Sequence, residues 1–182
     1  MNREKAVAIF GSSRTQPGSP EWIDAERAGK RCADAGLAVV TGGYGGTMEA
    51  ASRGAALAGG QVIGVTAPAL FVSRDGANSH VTREIAARSL TERIGTLMDL
   101  ATGVIALPGS IGTAAELLIA WNANHIARRN GGRRIPVVAV GEAWHELWTL
   151  MSEGLGAFGG DVHTVPHADE GVEWLLSQPE IC

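Results

Sequence analysis

The sequence predicts an α/β protein built on one doubly wound parallel sheet of about six or seven strands, with helices on both faces. Three observations predict it. Short β-rich runs alternate with longer stretches of helical periodicity along the chain. The β-rich runs are continuously apolar rather than alternating, as strands buried on both faces must be. Several of the loops that follow them are rich in glycine, and sheets of this kind bind ligands beyond the carboxyl ends of their strands.

Taken in order, the strands are expected at Ala6–Phe10, Ala38–Thr41, Val62–Val65, Val104–Leu107, Pro136–Val140 and His163–Val165. Helical patterns fill the intervals near Pro20–Ala35, Thr47–Ala58, Val81–Leu100, Gly112–Ala127, Trp144–Glu153 and Asp169–Gln178. Ser19 before Pro20 is an N-cap followed by proline at the first helical position. In the fourth helix Ala114, Leu117, Leu118, Trp121 and His125 make one apolar stripe. Trp144, Trp148 and Trp174 stand at positions suited to core packing. The stretch 66–80 is the least regular and reads as a long loop. Right-handed crossovers then place helices on both faces of a Rossmann-like sheet.

Composition narrows the class. The 182 residues are 45% hydrophobic and 19% charged, a globular balance. Fifteen Lys and Arg against nineteen Asp and Glu give a net charge of −4, which argues against a nucleic-acid footprint. No apolar run approaches the ~18 residues of a membrane helix. The opening MNREK passes into a strand pattern too soon for a signal peptide. Two cysteines, Cys32 and Cys182, make neither a disulfide framework nor a zinc ribbon. The expectation is a cytoplasmic protein with residues 1–182 as a single domain and no nucleic-acid or membrane partner.

Glycine is the outlier: 25 of 182 residues, against a usual share of about 7%. The glycines cluster after the predicted strands, at Gly11-Ser12-Ser13, at Gly42-Gly43-Tyr44-Gly45-Gly46 and at Pro108-Gly109-Ser110-Ile111-Gly112-Thr113. A glycine loop that opens a helix presents free N–H groups and the positive end of the helix dipole, a ready anion site. The bland alternative for any one such loop is a tight turn that binds nothing; two on one sheet edge weaken it. A G-x-G-x-x-G dinucleotide loop fails at Met48, and a Walker A loop fails because the only lysines are Lys5 and Lys30. The same shortage weighs against pyridoxal phosphate. His163, His167, Asp161 and Asp169 lack helical ligand geometry, so no metal is expected.

Read together, the loops resemble the Lonely Guy family of nucleotide phosphoribohydrolases, often mislabelled as lysine decarboxylases. The segment Pro108-Gly109-Ser110-Ile111-Gly112-Thr113-Ala114-Ala115-Glu116 matches PGGxGTxxE with Ser110 for the second glycine, and Arg93 stands fifteen residues before Pro108, the family spacing. Gly42, Gly43, Gly46 and Met48 match a second motif, and Pro68 through Arg74-Asp75 resembles a third. The resemblance implies hydrolysis of the N-glycosidic bond of a purine nucleoside 5′-monophosphate, adenine-type and with or without an N6 substituent. Free base and ribose 5-phosphate are the implied products, with no required cofactor and a cytoplasmic homodimer. The alternative within the same fold is a non-catalytic carrier of a nucleotide or of the molybdenum cofactor.

The residue chemistry runs parallel to the resemblance. An oxocarbenium-like transition state wants a carboxylate beside the sugar to stabilise charge and orient water. Glu116, four residues after Gly112 in the first helical turn and off the apolar stripe, is the candidate; a dipole-favoured surface glutamate is the plain alternative. Arg93 borders an apolar stripe and is placed to pair with Glu116, with phosphate or with the base; a structural ion pair is its alternative. Gly11, Ser12, Gly42, Gly43, Gly46, Met48, Gly109, Ser110, Ile111, Gly112 and Thr113 are expected to bind substrate. Asp75 is a candidate for a ribose hydroxyl, and Asn122 sits where the family tends to have Thr. Ile94 replaces the family lysine and Glu49 a family glycine.

Overall fold

The computed structural model describes residues 5–73, 76–154 and 161–181. The elements are β1 (Ala6–Phe10), α1 (Pro20–Asp34), β2 (Ala38–Thr41), α2 (Thr47–Leu57), β3 (Val62–Thr66), β4 (Arg83–Ala86), α3 (Leu90–Leu100), β5 (Gly103–Ala106), α4 (Ile111–Asn130), β6 (Val137–Val140), α5 (Glu142–Gly154), β7 (His163–Val165) and α6 (Ala168–Leu176). Seven strands form one sheet in the order β4-β3-β2-β1-β5-β6-β7. Every pairing is parallel.

Alternation along β1 builds the two cores. Val7 and Ile9 enter one cluster with Trp22, Ala25 and Cys32 of α1, Ala51 of α2 and Leu175 of α6. Ala6, Ala8 and Phe10 enter the other, with Leu97 of α3, Leu117 and Trp121 of α4, and Trp144 and Trp148 of α5. Both faces of the strand are therefore buried, which is why its sequence is apolar throughout. The chain steps outward from β1 to β4, then crosses the opposite face to β5. The reversal makes the gap between the carboxyl ends of β1 and β5 the topological switch point.

One expected helix is corrected. Val81–Leu100 divides into the edge strand β4 and the helix α3. Arg83, Glu84 and Ala86 are exposed, so this strand lacks the apolar run that marks the central ones. The break is chemical: the Ser89 hydroxyl accepts the Glu92 N–H at 3.1 Å, and the Glu92 carboxylate accepts the Arg88 N–H at 3.0 Å. That exchange closes the N-terminus of α3. Other boundaries move by one to three residues; α4 runs on to Asn130 and ends at Gly131, whose φ of 65° is left-handed.

α1 and α2 cross closely because glycines meet backbone there. A Cβ at Gly54 would overlap the Glu26 carbonyl oxygen, and one at Gly29 the Ala51 carbonyl oxygen. Gly54→Ala must push the helices apart, at a cost of ~1–3 kcal/mol. Thermal unfolding should register this as a fall in Tm of roughly 3–10 °C.

Candidate active site

Three strand-following loops converge at the switch point. The loop after β1 is stitched between the other two: the Ser12 N–H donates to the Pro108 carbonyl at 3.2 Å, and the Ser12 carbonyl accepts the Thr47 N–H at 2.8 Å. The second bond requires close approach. Gly46 precedes α2 with a φ of 70°, and a Cβ there would strike the Ser12 carbonyl. A cleft of about 190 Å³ opens between the loops, its walls drawn from β1, the two glycine loops, α3 and α4.

Gly11, Gly42, Met48, Arg93, Ser110, Gly112, Thr113 and Glu116 all line this cleft, as do Ser13 and Phe71. Ser110 is the N-cap of α4 and the helix starts at Ile111, so Glu116 lies in the second turn rather than the expected first; no side chain caps the helix and its first turn carries no acidic residue. The helix terminus therefore keeps its positive end for an anion.

Arg93 and Glu116 form the charged centre. Both are buried, at 6% and 8% exposure, on facing helices. Arg93 Nη1 donates to Glu116 Oε1 at 3.2 Å, Nε to the Val65 carbonyl at 2.8 Å and Nη2 to the Gly42 carbonyl at 3.1 Å. One guanidinium thus ties together the end of β3, the first glycine loop and α4. A Cβ at Gly42 would occupy the place of the Arg93 guanidinium, so glycine is required there. Burial pushes the Glu116 carboxyl up to about 7, with Arg93 opposing the rise. A buried carboxyl that titrates near neutrality is suited to proton transfer. Arg93 is the only cation lining the cleft among the described residues; Ile94 turns into the protein, 5% exposed.

The remaining sequence candidates lie elsewhere. Ser12 braces the loops with its backbone, and its hydroxyl accepts the Arg14 N–H. Gly43 and Gly46 shape the second loop behind the cleft. Gly109 and Ile111 line a separate cavity of about 500 Å³ on the other side of the α4 loop, toward Trp144 and Leu147. Asn122 is on the exposed face of α4, outside the cleft. Asp75 lies outside the described residues. Sequence reasoning missed Ser13, although it follows Gly11-Ser12 in a strand-end loop, and Phe71, whose irregular loop carries no periodic signal. Of the four potential ligands in this segment, His163 stacks on Trp174, Asp161 pairs with Arg128, Asp169 pairs with Arg27, and His167 is the N-cap residue of α6. No group of three metal-ligating side chains occurs among the described residues. Nor is any described helix long and apolar enough to cross a membrane.

The fold and its cleft define a Rossmann-like α/β protein with a polar, partly ionised site at the switch point of a parallel sheet. The chain belongs to the SLOG cluster4 family, whose model matches residues 4–128. This bears out the Lonely Guy resemblance carried by the α4 loop and Arg93. A cytokinin riboside 5′-monophosphate phosphoribohydrolase of Mycobacterium marinum is 32% identical over 122 residues, 66% of this chain and 64% of that protein. A pyrimidine/purine nucleotide 5′-monophosphate nucleosidase of Escherichia coli is 32% identical over 105 residues, 54% of this chain. The chain spans just under two thirds of the first relative's length and 23% of the second's. Among solved structures, the molybdenum cofactor binding protein of Rippkaea orientalis aligns with a TM-score of 0.77 and 21% identity over 97% of this chain and 98% of that one. The molybdenum cofactor carrier protein of Chlamydomonas reinhardtii aligns at 0.67 and 23%, covering 97% and 100%. At these identities the likeness is one of fold.

Proposed function

We propose that this protein hydrolyses the N-glycosidic bond of a purine nucleoside 5′-monophosphate, adenine-type, to free base and ribose 5-phosphate. The observation that carries the reading is the buried Arg93–Glu116 pair facing an uncapped helix N-terminus in one cleft. The phosphate would sit on the N–H groups that open α4, with Thr113 and Ser110 beside it. That anchor places the ribose toward Glu116. As the C1′–N bond breaks, its electron pair leaves with the base and positive charge grows on the sugar. The Glu116 carboxylate faces that charge and takes a proton from the attacking water, whose oxygen bonds to C1′. The proton then passes to the departing base, which balances the reaction. Arg93 holds the carboxylate in place.

The two relatives named for hydrolysis of nucleoside 5′-monophosphates support this reading. A homodimer belongs to the same proposal: Ile119 and Ile126, 43% and 50% exposed on the outer face of α4, are the surface it would cover. A second reading, a carrier that binds without turnover, draws on Ile94 in place of the family lysine and on a fold shared over its full length with molybdenum cofactor proteins.

Ligand-dependent melting tests the phosphate anchor. AMP at ~100 times its Kd should raise Tm by roughly 5–10 °C, and adenosine at the same concentration by far less. Equal shifts would remove the α4 loop from phosphate binding. Release of free base across a panel of nucleoside monophosphates tests the activity; binding without release would select the carrier.

A further inference from the structure

We infer that Phe71 is the platform on which the base stacks, an assignment that rests on the monophosphate reading above. Apolar side chains line the cleft at four positions, but Ile9, Phe10 and Met48 are 0%, 2% and 7% exposed. Phe71 alone of the four is half-buried rather than buried. An aromatic base entering the cleft gains contact area only where a surface is open to meet it.

The ring is held in place although its loop is irregular. Tyr44 meets it edge-to-face, with centroids 5.3 Å apart and planes at 69°. The Tyr44 hydroxyl accepts the Ala67 N–H at 2.8 Å, at the start of the turn in which the Phe71 N–H returns to the Ala67 carbonyl. Asn78 closes the far side of the loop: its amide nitrogen donates to the carbonyls of Gly43 and Tyr44 at 3.1 and 3.0 Å. Tyr44 also lies under the Arg93 guanidinium, 6.0 Å from its ring centroid. Base platform, glycine loop and charged pair are thus fixed to one another, which sets the base at a constant offset from Glu116. Stacking reads aromatic area rather than hydrogen-bonding edges. The platform therefore favours purines over pyrimidines and by itself separates the purines little.

The test uses a C-nucleoside analogue of AMP, whose carbon–carbon glycosidic bond cannot be hydrolysed, and ribose 5-phosphate, which lacks the base. Titration of wild type, Phe71→Ala, Phe71→Leu and Phe71→Trp gives Kd for both. Phe71→Ala should weaken the analogue by about tenfold or more and leave ribose 5-phosphate within about twofold. Phe71→Leu, which keeps an apolar side chain against Tyr44, should show the same loss, and Phe71→Trp should restore affinity. Analogue affinity unchanged in Phe71→Ala overturns the assignment. So does parallel weakening of both ligands, which would make Phe71 a prop for the loop. A wild-type protein that binds ribose 5-phosphate but not the analogue also overturns the assignment and leaves the phosphate anchor standing. Failure to bind either ligand overturns the monophosphate reading itself.

Discussion

Glu116→Gln should lower base release by at least ~100-fold, the scale of losing a group aimed at developing charge. Gln keeps the volume and can still accept the Arg93 hydrogen bond, but it takes no proton and carries no charge. The fold should survive, and the sign of its pH dependence follows from the carboxyl itself. In the folded protein Glu116 titrates near 7, raised by burial against the opposition of Arg93; unfolded, it returns to the ordinary carboxylate range. The folded state therefore binds the extra proton between those values. Its stabilising contribution is present at acid pH and is lost as pH rises toward 7, with a total on the order of 3 kcal/mol. The Gln variant has no such loss. Its Tm should match wild type near pH 4.5 and exceed it by several degrees at pH 8, while activity moves the opposite way. Wild-type activity should rise through pH 7 as the carboxylate forms. Wild-type release in the variant would take Glu116 out of the mechanism.

Arg93→Lys should cost ~10–100-fold in activity, because an ammonium cannot reproduce a planar fork bonded to three acceptors in three directions. In the proposed mechanism Arg93 is a positioning residue, because its hydrogen bonds run to Val65, Gly42 and Glu116. Stability should therefore fall as well, since carbonyls buried around the guanidinium lose donors. With its cation displaced, Glu116 should titrate higher, moving the acid limb of the activity profile upward. Activity per folded molecule, Tm, solution mass and pH profile on one sample separate the roles. Unchanged activity per folded molecule, with only Tm or mass altered, would reduce Arg93 to a structural ion pair.

The central strands were legible because burial on both faces leaves a continuous apolar run, as in Ala6–Phe10 and Val137–Val140. β4 was not, because an edge strand bearing Arg83 and Glu84 has one paired side and exposed residues. The Ser89-Leu90-Thr91-Glu92 spacing did hold the start of α3, and its capping chemistry outweighs helical periodicity through Val81. In the site, the α4 loop was readable from its local spacing, and Gly42 belongs to a glycine loop in which a Cβ at that position would meet the Arg93 guanidinium. Phe71 and its clamp were not, since contacts of Tyr44 and Asn78 across an irregular loop leave no period. On α4, the sequence motif points to Asn122, which is exposed. Asn124, two positions on, is the buried one, exchanging hydrogen bonds with the Ile135 backbone ahead of β6. The residues of one helix turn differ in burial by angle, and an apolar stripe locates that angle only coarsely.

Product analysis of AMP incubated with wild type and Glu116→Gln at pH 8 decides between hydrolysis and binding without turnover. Wild type should yield adenine and ribose 5-phosphate in equal amounts, and the variant should bind AMP and return it intact. AMP bound and recovered intact from both would contradict hydrolysis and make this protein a carrier.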